Sequence, residues 1–308
     1  MATTVTAPVS NSIALAQKYL PILDEIYKVE SKSSILDTPE DRVRWIGAKT
    51  IQLFNASLVG LGNYSRNAGY QVGDLTQAWE SYTLSVDRGR SFMVDAMDDD
   101  ETLGMAFATL LSEFERTQVI PEVDAYRFAS LATVANSAGN KTAATDASDL
   151  TQDIAAQVDS AMAIMDEAEV PHEGRILFIS GAGYENLKAH VSRYVLNLEK
   201  DINNNIEMYN DLRVIRVPQS RLATTCTLNS APNSSDAGGF TLSGNNVNFL
   251  VVHPSAVMQV VKHVIPRVFS PAVNIEADAY KFDYRIYHGQ FVKAQKTDGI
   301  YLGLGTAI

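Results

Sequence analysis

Residues 99–136 read DDETLGMAFATLLSEFERTQVIPEVDAYRFASLATVAN, and this stretch decides the fold. Apolar side chains recur every three or four positions, which is the spacing of one face of an α-helix. They are Leu103, Ala106, Phe107, Leu110, Leu111 and Phe114, followed by Val123, Tyr126, Phe128, Leu131, Ala132 and Val134. Because Pro121 fits best in a first helical turn, the pattern predicts one long helix with a kink near this residue. A helix much longer than the mean of about 11–12 residues indicates a scaffold role.

Two extended segments precede this helix. Alternating apolar and polar residues predict strands in 43–57 and 79–95, and the residues between them, 58–74, contain four glycines. The pattern predicts a long β-hairpin with a flexible tip. Because an isolated hairpin is marginally stable in water, it must pack against another element or a neighbouring copy. Before it, Pro21 divides residues 11–36 into two short helical pieces of an N-terminal arm.

The second half of the chain alternates between helices and strands. Asp149 and Gln152 form a plausible capping box for a helix over 149–169. The other predicted elements are a strand at 175–180, a helix at 183–198, a strand at 211–218, a polar loop at 227–246, a strand at 247–252, a helix at 255–264, and strands at 280–292 and 300–304 joined by a turn at Asp298-Gly299.

Composition excludes several classes of protein. The chain has 308 residues, 46% of them apolar, and its net charge is −11. It can therefore bury a sizeable core as one large or two modest domains, and an acidic chain is a poor general binder of nucleic acid. Cys226 is the single cysteine, which excludes an intrachain disulfide and a cysteine zinc site. The sequence contains no membrane-length apolar run and no secretory signal, so we expect a soluble protein that is intracellular when made.

Signatures of catalysis are weak throughout the chain. Gly181-Ala-Gly183 follows a predicted strand, as in a dinucleotide-binding turn, but Asn186 stands at the third glycine position. A tight strand-to-helix turn explains these glycines better. The five histidines form no metal-binding pair, and the Asp98–Glu101 acids suit a helix N-terminus better than a divalent cation. The sequence therefore predicts no catalytic residue, no metal site and no cofactor.

Acidic residues are concentrated in one segment of the chain. Residues 146–173 contain eight acids and no lysine or arginine, and this window carries −8 of the net charge. Asp166, Glu167 and Glu169 fall at the C-terminal end of the predicted helix, where the macrodipole disfavours them. Two interpretations stay open: a solvated helix face, or a surface that meets a basic partner or stays clear of DNA.

The order of these elements resembles the HK97-like major capsid protein of tailed bacteriophages. The similar segments are 50–95, 101–134 with Glu122-Val-Asp-Ala-Tyr-Arg-Phe-Ala-Ser-Leu-Ala, 175–187 with Arg-Ile-Leu-Phe-Ile-Ser-Gly-Ala-Gly, 212–218, 249–257 and 283–292. The resemblance implies an α+β, HK97-like fold. Its parts would be an N-terminal arm (1–45), an extended β-hairpin loop (46–97), a peripheral domain with the spine helix (98–148), an axial domain (149–270) and closing strands of the peripheral domain (271–308).

The resemblance also implies a function without catalysis. Such a protein self-assembles through hexamers and pentamers into an icosahedral shell around double-stranded DNA, which it does not bind sequence-specifically. Expected partners are other copies, a separate scaffolding protein, a portal and, in some shells, a cement protein. The shell would be assembled in the host cytoplasm and become part of the virion, with no membrane involved. Two alternatives stay open: a cargo-enclosing nanocompartment of the same fold, or a soluble nucleotide-dependent enzyme using Gly181 and Gly183.

The hairpin departs from the family's type member, which cross-links subunits through a lysine on this loop. No lysine occurs between Lys49 and Lys141, so we expect no such isopeptide bond. Charged residues of the hairpin are candidates for inter-subunit ion pairs, with solvated strand charges as the even alternative: Arg66, Asp87, Arg88 and Arg90. A compact globule of this length would have a radius of gyration of roughly 19 Å, and a body with two arms should exceed it.

Overall fold

The computed structural model describes residues 31–39, 43–47, 49–64, 66–67, 75–96, 113–194, 205–231, 237–275 and 277–308. Within these ranges the strands are β1 (Arg44–Ile46), β2 (Thr50–Leu58), β3 (Leu75–Thr83), β4 (Val86–Asp95), β5 (Ile176–Ser180), β6 (Met208–Tyr209), β7 (Leu212–Val217), β8 (Ala223–Leu228), β9 (Phe240–Val252), β10 (Val257–Phe269), β11 (Ala279–Val292) and β12 (Ile300–Ala307). The helices are α1 (Ile120–Ala138), α2 (Ile154–Glu167) and α3 (Gly181–Tyr194). The predicted α+β class is confirmed.

The long predicted helix is confirmed in its C-terminal part. A π-helical turn, Glu115–Val119, leads directly into α1, so the break in α-helical geometry falls just before Pro121. The helix ends at Gly139, which adopts a left-handed conformation with φ of 84° and donates its N–H to the last turn. Residues 99–112 of the prediction lie outside the described residues.

A six-stranded sheet forms the main core. Its strand order is β12-β9-β5-β7-β6, and β8 pairs with the N-terminal part of β9. On β5, Phe178 packs in one cluster with Phe128 of α1, whereas Leu177 packs in another with Val158 of α2 and Leu187 of α3. Helices therefore cover both faces of the sheet. This explains why every residue of β5 is buried and why the strand is apolar from Ile176 to Ile179.

A three-stranded sheet of order β10-β11-β4, here called the β4 sheet, packs against the beginning of α1. The contact joins Val119, Ile120 and Val123 with Phe282 and Ile286 of β11. Alternate residues on the other face of the sheet are solvated, including the Asp87–Arg285 cross-strand pair. The helix is thus held between this sheet and the six-stranded sheet, as expected of a scaffold element.

The predicted hairpin is confirmed as the antiparallel pair β2–β3, to which β1 adds a third strand. We call this the hairpin sheet. Its base packs on the β4 sheet through Ile51 and Leu84, which contact Met258, Val260 and Tyr287. The base of the hairpin therefore packs on its own chain, and the distal part is left exposed and available to a neighbouring copy.

Four secondary-structure predictions are wrong. Residues 79–95 are not one strand, because the chain changes sheet after β3 and β4 pairs with β11 instead. Residues 257–264 of the helix predicted over 255–264 belong to β10. Both ends of the predicted polar loop 227–246 belong to strands, residues 227–228 to β8 and residues 240–246 to β9. The N-cap of α2 is Asp153, whose carboxylate accepts from Ala156 N–H, so the capping box at Asp149 does not form.

The two strands at the end of the chain, which the sequence predicts as a pair joined by a turn, lie in different sheets. β11 lies in the β4 sheet, whereas β12 pairs with β9 in the six-stranded sheet. β10 likewise belongs to the β4 sheet although it was predicted within the axial segment 149–270. The sheet boundaries thus differ from the predicted domain boundaries, and the division into domains itself stays a prediction.

Candidate assembly surfaces

The distal end of the hairpin exposes apolar side chains. Leu58 is 76% exposed, Val59 66%, Leu61 108% and Tyr64 61%. Because burial of apolar side chains lowers the free energy, these four residues make the end of the hairpin a candidate interaction surface. Gly60 and Gly62 alternate with these residues and leave the backbone free to adapt to a partner.

Of the predicted ion-pair residues, Arg88 bonds within the chain. Its Nε donates to Glu122 Oε1 of α1 at 2.8 Å, and its other nitrogens donate to the carbonyls of Asn229 (2.6 Å) and Gly239 (3.1 Å). Arg88 therefore ties β4 to α1 and to the loop between β8 and β9. It also lines a groove of about 590 Å³ between these elements, together with Phe92 and Phe114.

Of the other three predicted residues, Asp87 and Arg66 are exposed. Asp87 pairs with Arg285 of β11 at 2.5 Å on the solvated face of the β4 sheet. Arg90 is half-buried and lines the groove beside Arg88, and Arg66 is exposed near the hairpin tip. The structure does not bring these four residues together, and their role between subunits stays a prediction.

A buried polar cluster anchors the end of the N-terminal segment, and sequence reasoning missed it. The fully buried Asp124 carboxylate of α1 accepts hydrogen bonds from Ser31 Oγ (2.7 Å), Lys32 N (2.9 Å) and Ser33 Oγ (2.6 Å). Arg221 Nη1 lies 3.1 Å from the same carboxylate.

Arg127 lies one turn after Asp124 on α1, and its buried guanidinium contacts Ser33 Oγ at 2.9 Å and Asp37 Oδ1 at 3.0 Å. Two opposite charges of the scaffold helix therefore hold residues 31–37 against the core. Because a buried charge is costly unless it is paired and hydrogen-bonded, this arrangement fixes the place where the N-terminal segment joins the body.

Three of the eight acids of the window 146–173, Asp146, Asp149 and Asp166, have local hydrogen-bond donors, and the role of the whole window stays a prediction. The buried Arg175 side chain donates to the carbonyls of Val170 (2.7 Å) and Pro171 (2.9 Å), just beyond the end of α2, and to Asp166 Oδ1 (2.6 Å). The pKa of Asp166 is lowered, first by this hydrogen bond from Arg175. A cation at the helix C-terminus thus offsets the unfavourable placement of the acid. Asp146 and Asp149 accept from Ser148 and Thr151 in local turns.

Of the two glycines of the dinucleotide-like segment, Gly183 serves packing, whereas a Cβ on Gly181 would meet no atom within 4 Å. A Cβ on Gly183 would lie 3.1 Å from Asn248 O, Ile179 Cγ1 and Ser180 Oγ, so the start of α3 sits directly against β9. The Gly183 N–H already donates to Ser180 Oγ at 3.1 Å. These contacts favour the interpretation as a tight strand-to-helix turn, and they do not favour a pyrophosphate-binding site. Among the described residues, no three His, Cys, Asp or Glu side chains converge as metal ligands, and no helix is long and apolar enough to cross a membrane.

No protein-family model and no curated protein sequence matches the chain. Its structure is nevertheless similar to solved structures. One is a chain of the bacteriophage PhiM1 mature capsid, with a TM-score of 0.60, 12% identity, and coverage of 85% of this chain and 83% of that chain. A chain of the cyanophage P-SCSP1u capsid gives a TM-score of 0.59 and 12% identity, with 85% of each chain covered.

A virus-like particle from Pyrococcus furiosus is also similar, with a TM-score of 0.53 and 10% identity over 93% of this chain and 98% of that chain. The likeness spans most of each chain. At sequence identities of 10–12%, this structural similarity establishes the fold alone. The chain has the fold of these phage capsid chains, an HK97-like fold.

Proposed function

We propose that the chain is a major capsid protein that assembles through hexamers and pentamers into an icosahedral shell around double-stranded DNA. The observation that carries the proposal is the exposed apolar hairpin tip, Leu58–Tyr64, on a hairpin whose base is packed on its own body. Closed shells are built from many copies whose contacts join unlike surfaces, and a projecting apolar tip suits such a contact. The fold supports the proposal.

The charge of the chain fits a container for DNA. With a net charge of −11, the protein can surround DNA without binding it tightly. A separate scaffolding protein, a portal and packaged DNA belong to this proposal as partners. The shell would be assembled in the host cytoplasm and become part of the virion.

Size is the direct test. We expect the expressed chain, alone or with its scaffold, to form rings or particles of megadalton size in sizing chromatography and negative-stain microscopy. The double variant Leu58→Asp/Leu61→Asp should stay a folded subunit that does not assemble, because two charges enter the proposed interface. Leu150→Asp, at an exposed apolar residue before α2, is the matched control and should assemble. A wild-type chain that remains a compact species of about 34 kDa would contradict the proposal.

A second candidate is a shell of the same fold that encloses cargo. The similarity to the Pyrococcus furiosus virus-like particle, which spans almost the whole of both chains, keeps it open. The contents of purified particles decide between the two: nuclease-protected DNA of defined length supports the phage capsid, and a single enclosed protein supports the compartment.

A further inference from the structure

The hairpin sheet is joined to the β4 sheet by a two-residue connection, Leu84-Ser85, of which Leu84 is buried. Leu84 is 2% exposed and stands between β3, which belongs to the hairpin sheet, and β4, which belongs to the β4 sheet. Its N–H donates to Lys49 O at 2.9 Å, which closes the base of the hairpin. Its carbonyl accepts from the Tyr287 hydroxyl, also at 2.9 Å and buried. Both polar groups of this junction residue are therefore fixed, one to the arm and one to the body.

Tyr287 is well placed to act as a fixed point. It lies on β11, the middle strand of the β4 sheet, and pairs with Asp87 on one side and His263 on the other. Gly289, two residues further along β11, keeps the approach close, since a Cβ there would lie 3.1 Å from Leu84 Cγ. The junction thus rests on the most constrained strand of its sheet.

The hairpin acts on this junction as a lever. Strand β2 has nine residues and therefore spans about 30 Å. A change of about 10° in the direction of the arm at its base would move the tip by about 5 Å, which is the spacing of neighbouring strands. A displacement of this size would bring the apolar tip to a different place on a neighbouring copy.

We propose that Tyr287 is a positioning residue, which holds the Leu84 carbonyl, sets the direction of the hairpin and so controls the curvature of the assembled shell. The role of Tyr287 in the single subunit is independent of assembly, whereas the curvature rests on the proposed function. The experiment therefore measures the two separately, first in the unassembled subunit and then in particles.

Tyr287→Phe removes the hydroxyl and keeps the ring. Amide hydrogen exchange of the subunit should be roughly five- to thirtyfold faster at the hairpin base, residues 49–53 and 80–84, because a buried hydrogen bond that opposes opening is lost. Exchange in β5 should not change, which shows that the body stays folded. Tyr301→Phe is the matched control, since Tyr301 is also buried but lies on β12 in the other sheet, and it should exchange like the wild type.

Particle diameter is the second readout. Shells of Tyr287→Phe should show a broader or shifted distribution of diameters in negative stain, whereas Tyr301→Phe shells should match the wild type. Unchanged exchange at the hairpin base in Tyr287→Phe overturns the positioning role. Faster exchange with an unchanged distribution of diameters overturns the link to curvature. If the wild type forms no shell, the link to curvature fails with the proposed function, while hydrogen exchange still decides the role of Tyr287.

Discussion

The Asp124 carboxylate accepts a 2.6 Å hydrogen bond from the Ser33 hydroxyl, which joins two buried residues 91 positions apart. Ser31 and Arg221 bond to the same carboxylate. The N-terminal segment is therefore held by a charge that lies on the scaffold helix itself. The position of residues 31–33 and the position of α1 depend on each other through this one side chain.

Asp124→Ala should destabilise the subunit by about 3–5 kcal/mol, because Arg221 and several donors keep their buried positions without their acceptor. Urea unfolding of the unassembled chain measures the change. Asp211→Asn is the control, since the Asp211 side chain is 81% exposed, and it should unfold like the wild type. Equal unfolding midpoints for Asp124→Ala and the wild type would show that the cluster adds no stability.

Local patterns could predict the scaffold helix, the hairpin and β5, because each carries its own periodicity or apolar run. They could not predict β10. Val257, Met258, Val260, Val261 and Val264 fit a helical face as well as a strand, and pairing with β11 decides between them. That pairing joins Val257 to Val292, and a contact over this separation leaves no signal in a short window.

The partners of the buried polar residues could not be predicted from the local sequence pattern either. Asp124 stands in a helical pattern that gives no indication of a partner near residue 31. Arg175 lies just past the acidic window, and the sequence alone does not show that its guanidinium folds back onto the end of α2. The tip residues could be predicted as flexible from their glycines, but their exposure followed only from where the hairpin base packs.

Cys226 should react slowly with thiol reagents in the native protein. Burial raises the pKa of this thiol to about 11, with a further increase from the nearby Glu122 carboxylate. At pH 8 its thiolate fraction would be roughly two orders of magnitude below that of a free cysteine, whose pKa is about 8.5. The rate of reaction with Ellman's reagent, measured with and without urea, checks this. A native rate close to the rate in urea would contradict it.

His288 should make the protein less stable as the pH falls below 6.5. Burial lowers the pKa of His288 to about 3, and the charges of Arg127 and Arg88 act in the same direction. Between pH 6.5 and 3 the unfolded chain therefore binds a proton at this residue that the native state does not, so protonation favours unfolding. From pH 7 to pH 5 the loss is about 2 kcal/mol from this residue alone.

His288→Gln should remove that part of the pH dependence, since an amide does not titrate in this range. Urea unfolding at pH 7 and pH 5 measures it for the wild type, His288→Gln and the control His172→Gln, whose side chain is half-exposed. The prediction requires a smaller decrease for His288→Gln than for the other two proteins. Equal decreases in all three would assign the pH dependence to other groups.

Subunits in mature particles should not be cross-linked through the hairpin. An isopeptide bond to asparagine needs a lysine amine, and no lysine occurs between Lys49 and Lys141. Mass spectrometry of denatured particles should therefore show single chains, with or without N-terminal trimming. A ladder of covalent oligomers that resists denaturation would contradict this prediction.

Arg88 and Arg285 allow a comparison of two ion pairs on neighbouring strands. Arg88 is 22% exposed and joins β4 to Glu122 of α1 and to two loop carbonyls, whereas Arg285 is 61% exposed and pairs with Asp87 across the same sheet. Because charged hydrogen bonds with little exposure stabilise more, Arg88→Ala should lower the unfolding free energy by about 2–3 kcal/mol. Arg285→Ala should leave it nearly unchanged in the subunit, since exposed pairs contribute little. If the Arg285→Ala subunit is stable but does not assemble, the Asp87–Arg285 face lies between copies. If Arg88→Ala is as stable as the wild type, Arg88 does not tie β4 to α1 and to the loop between β8 and β9.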